Sequence, residues 1–436
     1  MPGVAGQAFQ ERSGWILKRT ERMATQDRIV IGRSPAAETA KLAYIGKEYA
    51  EGKLGRRVYF DLAVPHRLMV FGQTGNGKSY TLGVLSEEIA DQNAGSALIL
   101  DPMSIFWALK KPNDKSLIQN HWGIKGKSYN ARLFALKGSI PEAFAGAASA
   151  FALHGHEFSA DEILRILRIP ERSQMASAVQ TGIAELAKKI DQKVQNPHYS
   201  LDDIANQTSR SYRGVIHPST RNALDGRFLA ARSWGVFDAG SPSLEEVVNA
   251  KGLAVVQLGW LDRLGKSAPT DTLFNVVSDA LIRARHRLIK NEYIRRSELH
   301  FLGKTAESDP TWLILDEAKK FVPTDRGSQT KEIIEDWVQQ GRNYGASIVV
   351  ATQSPELIDE RVIAQADIVI AHRLQTDENI RALAKGVRGL REPAVRAVLD
   401  DLPAEPGFAA VFEGSLVAPL IIKVRNRKSR HEGGVA

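Results

Sequence analysis

The chain has 436 residues, 43% of them apolar, a formal net charge of +8 and no cysteine. That length and apolar content suffice for one large core with insertions or for two ordinary domains, and the missing thiols exclude a disulfide framework and thiolate metal sites. The basic balance fits a polyanionic partner such as nucleic acid, and no run approaches the ~20 uncharged apolar residues of a membrane helix, so a soluble, cytoplasmic protein with no membrane partner is expected.

The first sixty residues carry short alternating stretches around Ile29-Val30-Ile31 and Val58-Tyr59-Phe60, separated by glycine and charged turns, which predict a small β-rich module. From Arg67 the pattern changes to apolar runs bounded by turn residues and followed by helical periodicity, as in a parallel sheet covered on both faces. The expected strands are Leu68–Phe71, Ala97–Leu100, Leu253–Leu258, Trp312–Leu315, Ser347–Ala351 and Asp367–Ala371. A closing hairpin is expected from Phe408–Phe412 and Leu416–Val424. The residues between the second and third of these strands are rich in Ala, Leu and charged side chains at three- and four-residue spacing, which predicts a helical insertion. Ser159 and Ser200, each followed by acidic residues, read as helix N-caps there.

Gly72-Gln73-Thr74-Gly75-Asn76-Gly77-Lys78-Ser79 fits G-x-x-x-x-G-K-[ST], follows an expected strand and opens an expected helix. The glycines let backbone N–H groups wrap phosphates and the helix N-terminus adds partial positive charge. Lys78 is placed to reach the β- and γ-phosphates and Ser79 to ligate Mg²⁺. The run Trp312-Leu313-Ile314-Leu315-Asp316-Glu317 supplies the acidic partner, with Asp316 holding the Mg²⁺ and Glu317 orienting the attacking water. The adjacent acids point to an ATPase, because a GTPase would carry Asn-Lys-x-Asp for guanine and a small-molecule kinase would not need the second acid.

Gln353, after the strand Ser347–Ala351, is either a sensor beside the γ-phosphate or a polar residue satisfying its loop. Arg342, in Gly341-Arg342-Asn343, is either an arginine finger aimed at an adjacent subunit's nucleotide or a surface residue complementing a helix dipole, with Arg373 the next candidate for the finger.

At Gly72–Ser79 with Tyr80-Thr81-Leu82, Asp101-Pro102, Asp316-Glu317-Ala318, Gly341-Arg342, Ala351-Thr352-Gln353-Ser354-Pro355 and Val424-Arg425-Asn426-Arg427 with His431, the sequence resembles the HerA/FtsK superfamily, and within it the HerA-like hexameric DNA-pumping ATPases. The resemblance implies an α/β fold with a RecA-like P-loop core. It also implies a homohexameric ring with ATP at subunit interfaces, a channel for double-stranded DNA, and a docked nuclease or other effector. Arg342 stands where the family's motif places its trans-acting arginine and Gln353 where it places its polar sensor. Three departures are visible: Met103-Ser104-Ile105 replaces the Gly-Glu that commonly follows Asp-Pro-x, Lys319 replaces the His that often follows Asp-Glu-Ala, and the amino-terminal module is shorter than the family's β-barrel.

The expected organisation is a β-rich module over 1–62, a first part of the core over 63–105, a mainly helical insertion over 106–250, the second part of the core over 251–425 and a basic tail over 426–436. Arg263 and Lys266 after one core strand, and Lys320 and Arg326 after another, are the candidate DNA contacts, since such loops face the channel of a RecA-like ring. The alternative is an oligomeric ATP-binding scaffold that switches an effector, for example in phage defence, without processive movement.

Overall fold

Apolar residues that alternate along a strand can face two covers only if both sides of the sheet are closed by helices, and here they do so. A computed structural model describes residues 28–32, 41–114, 122–192, 198–212, 216–238, 240–266, 268–304, 310–323, 329–414, 416 and 418–432. The amino-terminal strands are β1 (Arg28–Ile31), β2 (Leu42–Ala50) and β3 (Lys53–Asp61). Next, β4 (Arg67–Phe71) feeds helix α1 (Lys78–Asp91) and β5 (Ser96–Asp101). The insertion holds β6 (Arg132–Leu136), β7 (Ala148–Phe151), α2 (Ala160–Ile166), α3 (Gln174–Asp191), α4 (Leu201–Ser211), α5 (Pro218–Ser233) and α6 (Leu244–Val248). After it come β8 (Leu253–Gln257), α7 (Thr270–Phe301), β9 (Thr311–Leu315), α8 (Gln329–Tyr344) and β10 (Ala346–Thr352). The chain closes through α9 (Glu360–Ile363), β11 (Ile368–Ala371), α10 (Asp377–Gly386), α11 (Glu392–Asp400), β12 (Phe408–Glu413) and β13 (Leu420–Val424).

Among the described residues thirteen strands form one sheet in the order β1-β3-β2-β13-β12-β11-β4-β10-β9-β5-β8-β6-β7. From β11 to β7 every neighbouring pair is parallel, whereas β12, β13, β2 and β3 run antiparallel to one another. Met69 and Phe71 face one core with Leu273, Val276 and Leu281 of α7, while Leu68 and Val70 face the other with Leu82, Leu85 and Ile89 of α1. This is the expected doubly covered, α/β RecA-like sheet.

The structure departs from the expectations at four points. The amino-terminal strands are β-rich as expected, but they do not form a sheet of their own: β2 pairs with β13, so they extend the core sheet. The insertion contributes two strands, β6 and β7, that add to the sheet beside β8. Their runs, Arg132–Leu136 and Ala148–Phe151, are short and lie in a stretch whose alanine and leucine favour helix locally, and burial against the sheet overrides that preference. The second strand of the closing hairpin begins at Leu420 rather than Leu416, and Leu258 belongs to the 3₁₀ segment Leu258–Leu264 rather than to β8. The two expected caps are in place, with Ser159 capping α2 and Ser200 capping α4 through reciprocal bonds to Glu162 and Asp203.

The segment after β13 lies across α1 and is held by charge rather than by apolar packing. Arg425 donates to Glu87 at 2.9 Å and to Glu88 at 2.7 Å with all three side chains buried. Glu87 also accepts from the Ser429 backbone and hydroxyl at 2.8 and 2.7 Å. Gly83 is required where Arg427 crosses the helix, since a Cβ there would lie 2.5 Å from the guanidinium carbon. Removing one partner of a buried ion pair strands the other without water, so Arg425→Ala is expected to cost about 3–5 kcal/mol in urea unfolding. A loss below about 1 kcal/mol, the range of a surface pair, would show that the cluster does not hold the segment.

Candidate active site

The parallel register sets the site. Phe71 pairs with Thr352, Leu315 with Val350 and with Leu100, and Asp101 with Gln257, so the loops that follow β4, β10, β9, β5 and β8 leave one end of the sheet side by side. The expected motif Gly72–Ser79 is one of those loops. Gly77, with φ of 117°, caps α1 in a left-handed conformation that lets the chain turn from loop into helix. The loop is tied beneath by Gln73 N–H and the Asn76 amide, which both donate to the Arg373 carbonyl at 3.1 and 3.3 Å.

Lys78 is buried and its ammonium donates to the Gln73 carbonyl at 3.3 Å; burial lowers its pKa, opposed by Glu317 and Asp316. Ser79 Oγ donates to Asp316 Oδ2 at 2.9 Å. Burial pushes the Asp316 carboxyl up to about 6, against the Ser79 hydrogen bond, with Glu317 adding to the rise. Glu317 sits at φ 50°, a conformation uncommon outside glycine and found at functional sites. Its carboxylate accepts from Gln353 Nε2 at 3.4 Å and lies 4.0 Å from the Lys319 ammonium. Gln353 Oε1 in turn accepts from Thr74 Oγ1, so phosphate loop, Glu317 and Gln353 are linked through one side chain.

Arg342 is elsewhere. Its side chain is 55% exposed near the end of α8, with Nε 3.5 Å from both Asp367 Oδ2 and the Pro65 carbonyl. Those two residues precede β11 and β4, so Arg342 stands at the opposite end of the sheet from Gly72–Ser79. At ~3.3 Å per strand residue the separation is roughly 20 Å, beyond the reach of an arginine side chain. Arg373 lies instead beside the loop of its own chain.

Of the candidate DNA contacts, Arg263 and Lys266 are exposed after β8, and the Lys320 ammonium lies 5.4 Å over the Phe274 ring. Lys319 and Lys320 line a cleft of about 770 Å³ beside the site, together with Asp262, Asp271 and Phe274. Arg326 lies outside the described residues.

Two residues at the same strand ends carry no role in the motif reading. Asp101, fully buried beside Asp316, accepts from Phe106 N–H at 2.7 Å. His372 is buried directly under the loop. Asp101 is visible in the sequence as an acid ending an apolar run, whereas His372 shows only as a polar residue after Ala371 and needs the β4–β11 register to reveal its place.

With this geometry in place, comparisons with known proteins agree with it. The family described as "Helicase HerA, central domain" matches residues 43–277, and the zonular occludens toxin (Zot) family matches residues 261–382. A curated relative, "DNA double-strand break repair helicase HerA" of Sulfurisphaera tokodaii, is 20% identical over 83% of this chain, which spans 65% of that relative's length. The solved structure of VirB4 of Thermoanaerobacter pseudethanolicus superposes with a TM-score of 0.56 at 14% identity, over 90% of this chain and 98% of that one, a likeness of fold. Among the described residues no helix is long and apolar enough to cross a membrane.

The buried carboxyls give the site a pH signature. Burial, with the Asp316 charge beside it, holds the Asp101 carboxyl up at about 7. The folded chain therefore keeps a proton that an unfolded chain, with carboxyls near ~4, has released. The resulting stabilisation is complete below the unfolded value and is lost as pH rises through the folded one. Asp101→Asn keeps an acceptor for Phe106 and removes the charge. Its melting temperature relative to the natural chain is expected to rise between about pH 5 and about pH 8, and a pH-independent difference would contradict the buried acid.

Proposed function

Because the chain belongs to the family of the HerA helicase central domain, we propose that it is an ATPase that drives movement on, or opening of, double-stranded DNA. It works as a homohexameric ring with a partner nuclease or other effector. The observation that carries this reading is the meeting of Gly72–Ser79, Asp316-Glu317 and Gln353 at the ends of neighbouring parallel strands. A curated relative named as a DNA double-strand break repair helicase supports the DNA substrate.

In this reading the cradle N–H groups and Lys78 hold the triphosphate, with Lys78 moving from the Gln73 carbonyl onto the β- and γ-phosphates. Ser79 Oγ and the Asp316 carboxylate, 2.9 Å apart, are hard oxygen donors of the kind Mg²⁺ prefers. When bound, that ion would neutralise charge shared by the β- and γ-phosphates. Glu317 orients the attacking water and draws on its proton. Gln353, bonded to both Thr74 and Glu317, registers whether the γ-phosphate is present. Arg342 is too far from its own cradle to serve it, which supports its acting on the nucleotide of a neighbouring copy and supports a ring. Arg263, Lys266 and Lys320, on loops at the same end of the sheet, take DNA phosphates.

Glu317→Gln is expected to bind ATP with near-normal affinity while losing turnover by two orders of magnitude or more, in keeping with the ~10²–10⁴-fold contribution of a positioned acid or base. In the natural chain double-stranded DNA should stimulate hydrolysis. Near-normal turnover of Glu317→Gln removes that residue from the reaction, and hydrolysis indifferent to DNA favours the switching scaffold.

Mixing tests the ring. Arg342→Ala and Glu317→Gln subunits are each expected to be inactive alone, and activity should return in rings shown to contain both, because some interfaces then pair an intact Glu317 with an intact Arg342. A trans arginine is worth about 10³-fold or more in rate, whereas a helix-end arginine gives only a few tenths to one kcal/mol of stability. Full activity of Arg342→Ala alone, or silence in verified mixed rings, assigns Arg342 to the surface.

A further inference from the structure

A phosphate loop built on three glycines has little to hold its own shape, so what lies beneath it matters. Beneath this loop stands one side chain. His372 follows β11, continues its pairing with a backbone bond to the Phe71 carbonyl at 2.8 Å, and is fully buried. Its side chain touches both ends of the loop: a Cβ on Gly72 would lie 2.6 Å from His372 Cβ and 3.4 Å from the ring's Cγ, and one on Gly77 would lie 3.1 Å from Cε1. Two of the motif's glycines are therefore needed in part because the His372 side chain occupies the space below them, its Cβ under Gly72 and its imidazole under Gly77.

The hydrogen bonds fix the ring's protonation. Nδ1 lies 2.8 Å from the Phe408 carbonyl, which can only accept, so Nδ1 carries the hydrogen. Nε2 lies 2.9 Å from Thr81 Oγ1 in the first turns of α1. Burial, with Lys78 adding to it, holds the imidazole's pKa down at about 4, against the Phe408 bond, so the ring is neutral and Nε2 accepts from the Thr81 hydroxyl. Thr81 N–H itself bonds the Gly77 carbonyl at 2.8 Å, and Gly407 N–H, next to Phe408, bonds the Asn76 carbonyl at 3.2 Å. The imidazole thus joins the start of α1, the loop and the lead into β12.

We propose that His372 is a positioning residue for the phosphate cradle, holding Gly72–Gly77 and the first turn of α1 in their binding geometry through the hydrogen bond from Thr81 to Nε2. The inference rests on the reading of Gly72–Ser79 as the ATP site. A cradle shaped in advance binds without the ordering cost that a free glycine loop would incur, so the bond acts on nucleotide affinity as well as on stability.

The test is titration of the intact chain with a fluorescent N-methylanthraniloyl-ATP in the presence of Mg²⁺, with the melting temperature of every variant measured alongside. Thr81→Val removes the hydroxyl at nearly constant volume, Thr81→Ser keeps it, and His372→Asn keeps a donor for Phe408 but is too short for Thr81. Thr81→Val and His372→Asn are each expected to raise Kd about tenfold, Thr81→Ser less than about twofold, and the double variant no further than the worse single one, because both remove the same bond. Natural affinity in Thr81→Val, equal losses in Thr81→Val and Thr81→Ser, or losses that multiply in the double variant would each overturn the role of His372. Should His372→Asn fail to fold, the Val and Ser pair decides alone. Lys78→Ala separates the two readings: if it binds nucleotide normally the ATP site itself is misassigned, whereas weak binding in Lys78→Ala with natural affinity in Thr81→Val rejects only the positioning role.

Discussion

A cradle of backbone N–H groups has no rigidity of its own, and the glycines that let it curve also leave it free to unfold locally. Everything at this site therefore depends on the sheet edge below. Phe71 and Ala371 are paired in register, so Gly72 and His372 leave the sheet together and the imidazole is pressed against the loop. The far end of α1 is fixed by a second device, the buried Arg425–Glu87–Glu88 cluster. One end of the helix is set by hydrogen bonds to a neutral ring and the other by ion pairs without water. Between them the helix has little freedom to tilt, and Lys78 and Ser79 in its first turn inherit that constraint.

The same edge concentrates charge that folding alone would not favour. Asp101 and Asp316 are buried on neighbouring strands, each with its carboxyl pushed up by burial, and Glu317 adds a third acid in a left-handed backbone conformation. Lys78 shares this space, with Lys319 4.0 Å from Glu317, and burial weakens the hold of Lys78 on its own proton. In the proposed reading such an arrangement would be stabilised by a ligand that brings phosphates for the lysine and a divalent ion for the carboxylates. The cost of keeping the site poised falls on the apoprotein.

The parts legible in the sequence were those whose signal is local. Gly72–Ser79 and Trp312–Glu317 declare themselves because strand, turn and reacting side chain are contiguous, and the core strands because both faces of a parallel sheet are apolar. The strands β6 and β7 were hidden because runs of four and five residues carry no clear period, and only the edge of β8 gives β6 a partner, and β6 in turn β7. The union of β2 with β13 joins residues more than 350 positions apart, beyond any periodicity. His372 and the side-by-side burial of Asp101 and Asp316 belong to the same class, since each follows from register between strands distant in the chain.

Arg342 shows what one copy lacks. Gly341 lets α8 close on β10, for a Cβ there would lie 3.0 Å from the Ala346 carbonyl and 2.8 Å from the Trp337 ring of its own helix, and the next residue is thereby held at the amino-terminal end of the sheet. Its contact with Asp367 is long, 3.5 Å, because that carboxylate is already engaged by Arg67. An arginine held for its fold alone would be expected to take a closer partner. This one keeps a weak tether and a half-exposed guanidinium at the end of the sheet opposite the phosphate loop. In a closed ring of identical copies, head-to-tail interfaces bring opposite faces of neighbours together. A chain carrying its cradle at one end of the sheet and this arginine at the other is therefore suited to completing each site from two subunits, and under the proposed ring hydrolysis would be a property of the assembly.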